Sequence, residues 1–280
     1  YFLKYFLHTC YEFDVVIKKT CLSFTSQFMI EILILSLIQG ITEFLPVSSS
    51  SHLILFSSLS NFAEKSLSID VSLHIGSFFA VICYFYKDLI NFIDNKKLFF
   101  KIVVSSVPVI LVGYLLVQYD LIERFRNIEV IGWMTLIFGI LLYVSDKFKL
   151  DKKINTDFNY KSALLIGTFQ ILSLIPGVSR SGITITAARL LNFDRFDSAK
   201  ISFLLSIPTL GAVSIFGLKN IIVSENLEFS ALNLICIVLS FLFSLITIKY
   251  FLKYIKKFSL KLFVIYRIIL AILILYYSYL

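Results

Sequence analysis

Charge is scarce along this chain of 280 residues: Asp, Glu, Lys and Arg make up 16% of it, whereas hydrophobic residues make up 58%. Soluble domains carry about 25% charged residues, so the composition excludes an ordinary soluble domain. Apolar runs without any charge extend over 18 to 20 residues at 102–119, 162–179, 201–218 and 229–248. Because about 20 helical residues span the ~30 Å hydrocarbon layer, these runs predict a polytopic, all-α membrane protein.

Cysteine and basic segments are also limited. The four cysteines are scattered, and no spacing among them is typical of a disulfide framework or a zinc site. The net charge is +8, but the Lys and Arg residues lie in short connections between apolar runs. With no basic arm or folded basic domain, this charge indicates membrane topology and no nucleic-acid partner.

Lysine and arginine are concentrated in three connections. Four or five of these residues lie in each of 87–101, 147–161 and 249–261, whereas 120–128 contains two and 219–228 contains one. Since cytoplasmic loops carry the excess of basic residues, the first three are predicted to face the cytoplasm and the other two the outside. The spans that join the two sides are predicted at 102–119, 129–146, 229–248 and 262–280, with the C-terminus outside.

Proline occurs four times, and two of these prolines interrupt apolar segments that are too short to cross a membrane. The segments are 30–45 and 48–60 around Pro46, and 162–175 and 179–191 around Pro176. Each would be about 20 to 24 Å long as a helix. Proline frees backbone groups that lipid cannot satisfy, so such breaks persist where protein or a wet cavity covers them. We therefore predict two hairpins that enter the membrane and turn back.

The two predicted hairpins resemble each other. Gln39 is followed by LPVSS at 45–49, and Gln170 is followed by IPGVSRS at 175–181. In the predicted topology, the helix after the first hairpin runs inward and the helix after the second runs outward, which is typical of an inverted repeat. We expect one membrane domain at 29–280, with repeat halves at about 29–119 and 129–250 and a C-terminal helix at 262–280.

Residues 1–28 precede the first methionine, Met29. We interpret them as a non-native extension or a leader. A genuine amphipathic N-terminal helix is the alternative.

The first turn gathers polar residues inside an apolar segment. Gln39 and Glu43 are four residues apart, so a helix projects both from one face, as an amide and carboxylate pair suited to a metal ion. An ionisable group at this depth costs a few kcal/mol, about 2.5 to 3.5 on insertion scales, and is therefore a functional hypothesis. A structural ion pair to a neighbouring helix is the alternative.

Four serines and a histidine follow Pro46. Ser48 to Ser51 offer hydroxyls and, at a helix start, free backbone N–H groups that suit a phosphate. They could instead only cap the helix and pack against neighbours. His52 lies within one helical turn of Ser48 and Ser49 and could exchange protons near neutral pH, although a lone membrane histidine is weak evidence.

The second turn supplies the opposite charge. Arg180 lies between Ser179 and Ser181, and Thr184 follows one helical turn later. Arginine is the preferred bidentate partner of phosphate oxygens, although Arg180 could also pair with Glu43. Together the two turns contain what phosphoryl transfer on a lipid-borne substrate requires: groups that neutralise charge, and a hydroxyl or water that attacks in line.

Two segments, QGITEFLPVSSSSH at 39–52 and PGVSRSGIT at 176–184, closely resemble the signature segments of bacterial undecaprenyl pyrophosphate phosphatases of the bacitracin-resistance type. The likeness continues through IDVSLHIGSFFAV at 69–81, LSIPTLGAV at 205–213 and FVIYRIIL at 263–270. The resemblance implies hydrolysis of undecaprenyl diphosphate to the monophosphate and inorganic phosphate, which recycles the lipid carrier of cell-wall precursors. It also implies a divalent cation (Mg²⁺ or Ca²⁺), a bacterial plasma-membrane location and a site that faces outward. Whether the chain forms a homodimer is left open.

The resemblance also implies roles for individual residues. Gln39 and Glu43 fill the acid motif, for metal binding or base action, and Ser49 and His52 fill its serine and histidine positions. The second, phosphate-binding motif is filled by Ser179, Arg180, Ser181 and Thr184; Ser48, at the helix start, is a further candidate for binding phosphate. Attack by Ser49, by His52 or by water is left open. Ser51 stands where the family usually has glycine, which bears on the pose of His52.

Two other readings compete. Inverted repeats with broken helices also build secondary transporters, so a carrier or flippase for an anionic lipid or small anion is the main alternative. Membrane phosphatases that use a phosphohistidine have a histidine six residues after the arginine of a Ser-Arg pair. Thr186 occupies that position here, which disfavours this mechanism.

Overall fold

The computed structural model describes residues 29–59, 67–94, 96–119, 121, 127–148, 151–223 and 231–280. Within these ranges the chain is helical, and its β-structure is limited to one isolated bridge between Lys152 and Phe193. The predicted all-α class of a polytopic membrane protein is therefore confirmed. The interpretation of residues 1–28 lies outside the described residues.

Five helices in the described part of the chain are long and apolar enough to cross a membrane. They are α5 Lys96–Gln118, α6 Ile128–Asp146, α10 Arg195–Val223, α11 Ala231–Ile255 and α12 Lys261–Tyr279. Each of the four predicted spans lies within one of these helices, apart from one or two residues at its ends. A shorter apolar helix, α3 Leu67–Tyr84, packs against α10 and α11. Two further helices, α4 Tyr86–Asp94 and α7 Ile154–Asp157, are short.

Both predicted breaks are present. In the first, α1 Met29–Thr42 ends in a turn at 43–47, and α2 Ser49–Leu59 follows. In the second, α8 Tyr160–Gln170 continues into a 3₁₀ helix at Ile171–Leu174 and ends before α9 Arg180–Leu190. The placement of these hairpins in a membrane, the inverted repeat and the domain boundaries stay predictions.

Two successive aromatic contacts hold the first break against helices of the second half of the sequence. Phe44, in the first turn, is fully buried and meets Phe203 of α10 edge to face, with ring centroids 5.3 Å apart. Phe203 in turn contacts Phe251 of α11 at 5.8 Å. Aromatic pairs of this kind contribute roughly 0.5–1.5 kcal/mol beyond the area that they bury. The first turn is therefore held by helices that lie far away in the sequence.

Small residues allow two of the helix pairs to approach closely. A side chain at Gly167 of α8 would overlap the backbone carbonyl of Ser105 in α5, and one at Gly76 of α3 would overlap that of Ile237 in α11. Membrane helices commonly associate through such small residues, because the hydrophobic effect does not drive apolar helices together within lipid. Gly113 of α5 differs, because an added Cβ would lie 3.5 Å from Leu174 Cδ2, an ordinary contact.

We expect Gly167→Ala to force α5 and α8 apart and to destabilise the protein by about 1–3 kcal/mol, the usual cost of overpacking. Thermal unfolding of the purified protein in detergent measures this effect. Gly113→Ala is the matched control, because its added Cβ would meet Leu174 of the 3₁₀ helix at an ordinary distance, and it should unfold near the temperature of the parent. Equal unfolding temperatures for the two variants would contradict the close packing at Gly167.

Candidate active site

The two breaks meet through direct hydrogen bonds. Ser181, in the first turn of α9, donates from Oγ to the carbonyl of Leu45 at 2.7 Å. Arg180 Nη2 donates to Glu43 Oε1, also at 2.7 Å, and both side chains are largely buried, with exposed fractions of 13% and 7%. The predicted convergence of the acid and the arginine is therefore observed in the structure.

Glu43 is the centre of this cluster. While Oε1 accepts from Arg180, Oε2 accepts from Ser49 Oγ at 2.8 Å and from Gln39 Nε2 at 3.1 Å. The i, i+4 spacing of Gln39 and Glu43 brings these two side chains together, and the start of α2 brings in Ser49. A hydroxyl, a carboxylate and a guanidinium thus form one connected chain.

Further contacts fix the orientation of the Arg180 side chain. Nη1 donates to the carbonyl of Ser202 in α10 at 3.3 Å, and the guanidinium carbon lies 5.8 Å from the centroid of the Phe44 ring. An arginine held by an acid, a carbonyl and an aromatic face loses little freedom when an anion binds, because its planar fork is already oriented.

Ser48 and Ser179 occupy equivalent positions in the two turns. Both have positive φ angles, 76° and 71°, which are uncommon and strained for residues other than glycine. The Oγ of Ser179 accepts from the backbone N–H of Gly182 at 3.1 Å, and that of Ser48 accepts from Ser51 at 3.4 Å. Both serines therefore cap the helix that follows. Their predicted contact with phosphate is untested.

Ser51, at the position where the resemblance leads us to expect glycine, lies in regular helix within α2, and its Oγ lies 2.9 Å from Ser48 Oγ. Its φ angle is not positive. The residue before His52 therefore needs no glycine here, and the backbone of His52 remains helical.

The hydroxyl of Thr184 bonds within α9 and to α10. It is fully buried, donates back to the carbonyl of Arg180 at 2.8 Å, and contacts Ser202 Oγ of α10 at 2.7 Å. These contacts join α9 to α10, which is a structural role. Its predicted role in phosphate binding stays a prediction.

Both nitrogens of His52 are engaged. Nδ1 lies 2.6 Å from the carbonyl of Ser48, and Nε2 lies 2.6 Å from the phenol oxygen of Tyr266. A carbonyl only accepts, so Nδ1 carries the proton, and Nε2 of the neutral ring accepts from Tyr266. The structure thus brings His52 next to the serine turn. Nε2, the nitrogen that can take up a proton, already accepts a hydrogen bond from Tyr266.

Arg267 of α12 is the site residue that sequence reasoning missed. Its side chain is fully buried and donates to carbonyls of both turns: Pro46 at 3.4 Å, Gly177 at 2.9 Å and Val178 at 3.0 Å. A fourth bond reaches the carbonyl of Thr135 in α6 at 3.3 Å. A charge within an otherwise charge-free span indicates function, and this signal could have identified it.

The oxygens of Gln39 and Glu43 could supply some, but not all, of the ligands of a divalent cation. Among the described residues, no group of three or more His, Cys, Asp or Glu residues could hold a metal ion. Gln39 Oε1, however, is buried without a hydrogen-bond partner beside the Glu43 carboxylate. Mg²⁺ prefers oxygen ligands and commonly takes one or two carboxylates, with substrate phosphates completing its shell. This donor set is compatible with such an ion.

Comparison with known proteins gives consistent matches along most of the chain. The model of the bacitracin resistance protein BacA family matches residues 32–273. A protein from Pelagibacter ubique named undecaprenyl-diphosphatase is 53% identical over 246 residues, covering 88% of this chain and 96% of the relative. Proteins of the same name from Saccharophagus degradans and Jannaschia sp. are 42% and 39% identical, over 85% and 88% of this chain and 93% and 97% of the relatives.

We expect Arg267→Met to destabilise the protein by about 2 kcal/mol or more, because the carbonyls of both turns lose their shared donor in a buried environment. Arg267→Lys should be destabilising too, since one ammonium group lacks the planar fork that reaches several carbonyls. Thermal unfolding in detergent measures both, with Lys261→Met at the exposed start of the same helix as the control. Parent-like stability of Arg267→Met would contradict the role given to this residue.

Proposed function

The chain belongs to the family of the bacitracin resistance protein BacA, and we propose that it hydrolyses undecaprenyl diphosphate to undecaprenyl phosphate and inorganic phosphate. The observation that carries this proposal is the chain of contacts from Ser49 through Glu43 to Arg180, which links a nucleophile, a base and an anion-binding group. Relatives that align over almost their full length are named for this activity. Both facts favour hydrolysis over the carrier alternative.

Arg180 is the proposed clamp for the diphosphate. Its guanidinium is oriented by Glu43 and by the Ser202 carbonyl, and it has further N–H groups for phosphate oxygens. A diphosphate that draws Arg180 toward itself weakens the hold of the arginine on Glu43. The carboxylate then becomes a better proton acceptor, because its compensating positive charge is shared with the substrate.

Ser49 is the proposed nucleophile. Its hydroxyl already donates to Glu43 Oε2 at 2.8 Å, within the range expected of a nucleophile and its base. As Ser49 Oγ bonds to the terminal phosphorus, its proton passes to Glu43 and the bond from phosphorus to the bridging oxygen breaks. Undecaprenyl phosphate leaves with that oxygen, and water later hydrolyses the phosphoserine. Attack by His52 is less favoured, because its hydrogen bonds are to the Ser48 carbonyl and Tyr266, whereas Ser49 already contacts the Glu43 carboxylate.

A divalent cation, Mg²⁺ or Ca²⁺, is part of the proposal. Gln39 Oε1 and the Glu43 carboxylate would hold it, together with oxygens of the diphosphate. When bound, the ion would neutralise charge on the phosphoryl oxygens.

The proposed setting is the bacterial plasma membrane. The chain has five helices of spanning character within its described residues, and the substrate is itself a membrane lipid. The site is proposed to open to the outside, as the resemblance to the bacitracin-resistance phosphatases implies. Assembly as a homodimer stays a prediction.

We expect Ser49→Ala to lower kcat for phosphate release from undecaprenyl diphosphate by 100-fold or more, roughly the range of a lost nucleophile or general base. Glu43→Gln should give a similar loss, and Arg180→Lys should also raise KM, since a lysine replaces the bidentate fork. Ser278→Ala, at the far end of α12, is the matched control. If Ser49→Ala turned over like the parent, Ser49 would not be the nucleophile, and water or His52 would be the attacking group.

We also expect a metal chelator to abolish phosphate release, and Mg²⁺ or Ca²⁺ to restore it. Gln39→Leu, which removes the unpartnered amide oxygen, should raise the cation concentration needed for half-maximal activity by about tenfold, the order of a lost ligand contact. Titration of chelated enzyme with each cation measures this. Activity that persists in chelator would argue against any role of a cation.

A further inference from the structure

Tyr266 and His52 form a close pair between α12 and α2. The phenol oxygen lies 2.6 Å from Nε2, and the two rings are nearly parallel, with an angle of 8° and centroids 5.7 Å apart. Tyr266 is 43% exposed, so burial does not force its hydroxyl to find a partner inside the protein. The hydroxyl nevertheless lies within hydrogen-bond distance of the imidazole, and the stacked rings limit the geometry of this contact.

The proton positions on this pair follow from its neighbours. The Ser48 carbonyl can accept from Nδ1 only if that nitrogen is protonated, which leaves Nε2 of the neutral ring with its lone pair. Tyr266 then donates to Nε2. A hydrogen bond on each nitrogen fixes both the tautomer and the plane of the ring, as the partner of a catalytic histidine does in many enzymes.

The position of Tyr266 is tied to the same turns. The next residue, Arg267, donates to the carbonyls of Pro46 and Val178, so this part of α12 is held against both breaks. Ser48, whose carbonyl orients His52, is only two residues beyond Pro46. Tyr266 and the backbone that orients His52 are thus fixed to one rigid support.

We propose that Tyr266 is a positioning residue that holds His52 with Nε2 as the only nitrogen able to take up a proton. This inference rests on the proposed function and assigns His52 to its second step. There, a water loses a proton to Nε2, its oxygen bonds to the phosphorus of phosphorylated Ser49, and the bond from Ser49 Oγ to phosphorus breaks. Ser49 recovers its proton from Glu43, the phosphate departs, and His52 releases its proton to water. The water displaces Tyr266 from Nε2 when it enters.

The test compares Tyr266→Phe with the parent in detergent, using undecaprenyl diphosphate as substrate. We expect kcat to fall about tenfold, a fraction of the 10²–10⁴ typical of proton-transfer catalysis, with KM nearly unchanged because the substrate clamp is intact. Tyr277→Phe, an exposed tyrosine further along α12, is the matched control and should match the parent. A thermal unfolding temperature equal to that of the parent would show that the loss of activity does not result from misfolding.

A double-mutant cycle identifies the route of the effect. If Tyr266 acts through His52, the variant with both Tyr266→Phe and His52→Ala should have the same kcat as His52→Ala alone. Additive losses, or parent-like kcat in Tyr266→Phe, would overturn the inference while leaving the proposed function intact. A parent protein that releases no phosphate would overturn the proposed function and this inference with it.

Discussion

The ion pair between Glu43 and Arg180 is the interaction on which the site depends. At about 4 Å, two unit charges interact by roughly 1 kcal/mol in water and by several times as much in a less polar environment. An isolated carboxylate in this apolar chain would be unfavourable, and Glu43 is compensated by a guanidinium, a hydroxyl and an amide. The charges come from opposite breaks, so neither break can keep its charged group in place without the other.

The breaks themselves depend on α12. Ser48 and Ser179 hold strained positive φ angles, and Gly177 has a φ of 98°. Strained turns persist where surrounding contacts over-determine them. Arg267 supplies such contacts by donating to the carbonyls of Gly177, Val178 and Pro46. The buried guanidinium of Arg267 thus satisfies backbone carbonyls that the broken helices leave without partners, and it links the turns that precede α2 and α9.

This support holds two groups of side chains to which we assign separate steps of the proposed reaction. Around Glu43, the hydroxyl of Ser49 and the fork of Arg180 are suited to attack on a phosphate. About one helical turn away, His52 is held between the Ser48 carbonyl and Tyr266, and its contacts do not include the Glu43 carboxylate. Two proton acceptors with separate partners suit a reaction in two steps, in which the first base is occupied when the second is needed.

Much of the fold was predictable from the sequence, because hydropathy, charge and proline act locally. Long apolar runs with few charges predicted the spanning helices, Pro46 and Pro176 predicted the breaks, and the spacing of Gln39 and Glu43 predicted that they share a face. The resemblance to a known family added the roles of Ser49, His52 and Arg180. Only the tertiary structure decided the contacts between segments that lie far apart in the chain. Tyr266 meets His52 across 214 positions, Arg267 meets Pro46 across 221, and Thr184 contacts Ser202 of α10. No local pattern encodes such pairings, because they depend on how whole helices pack.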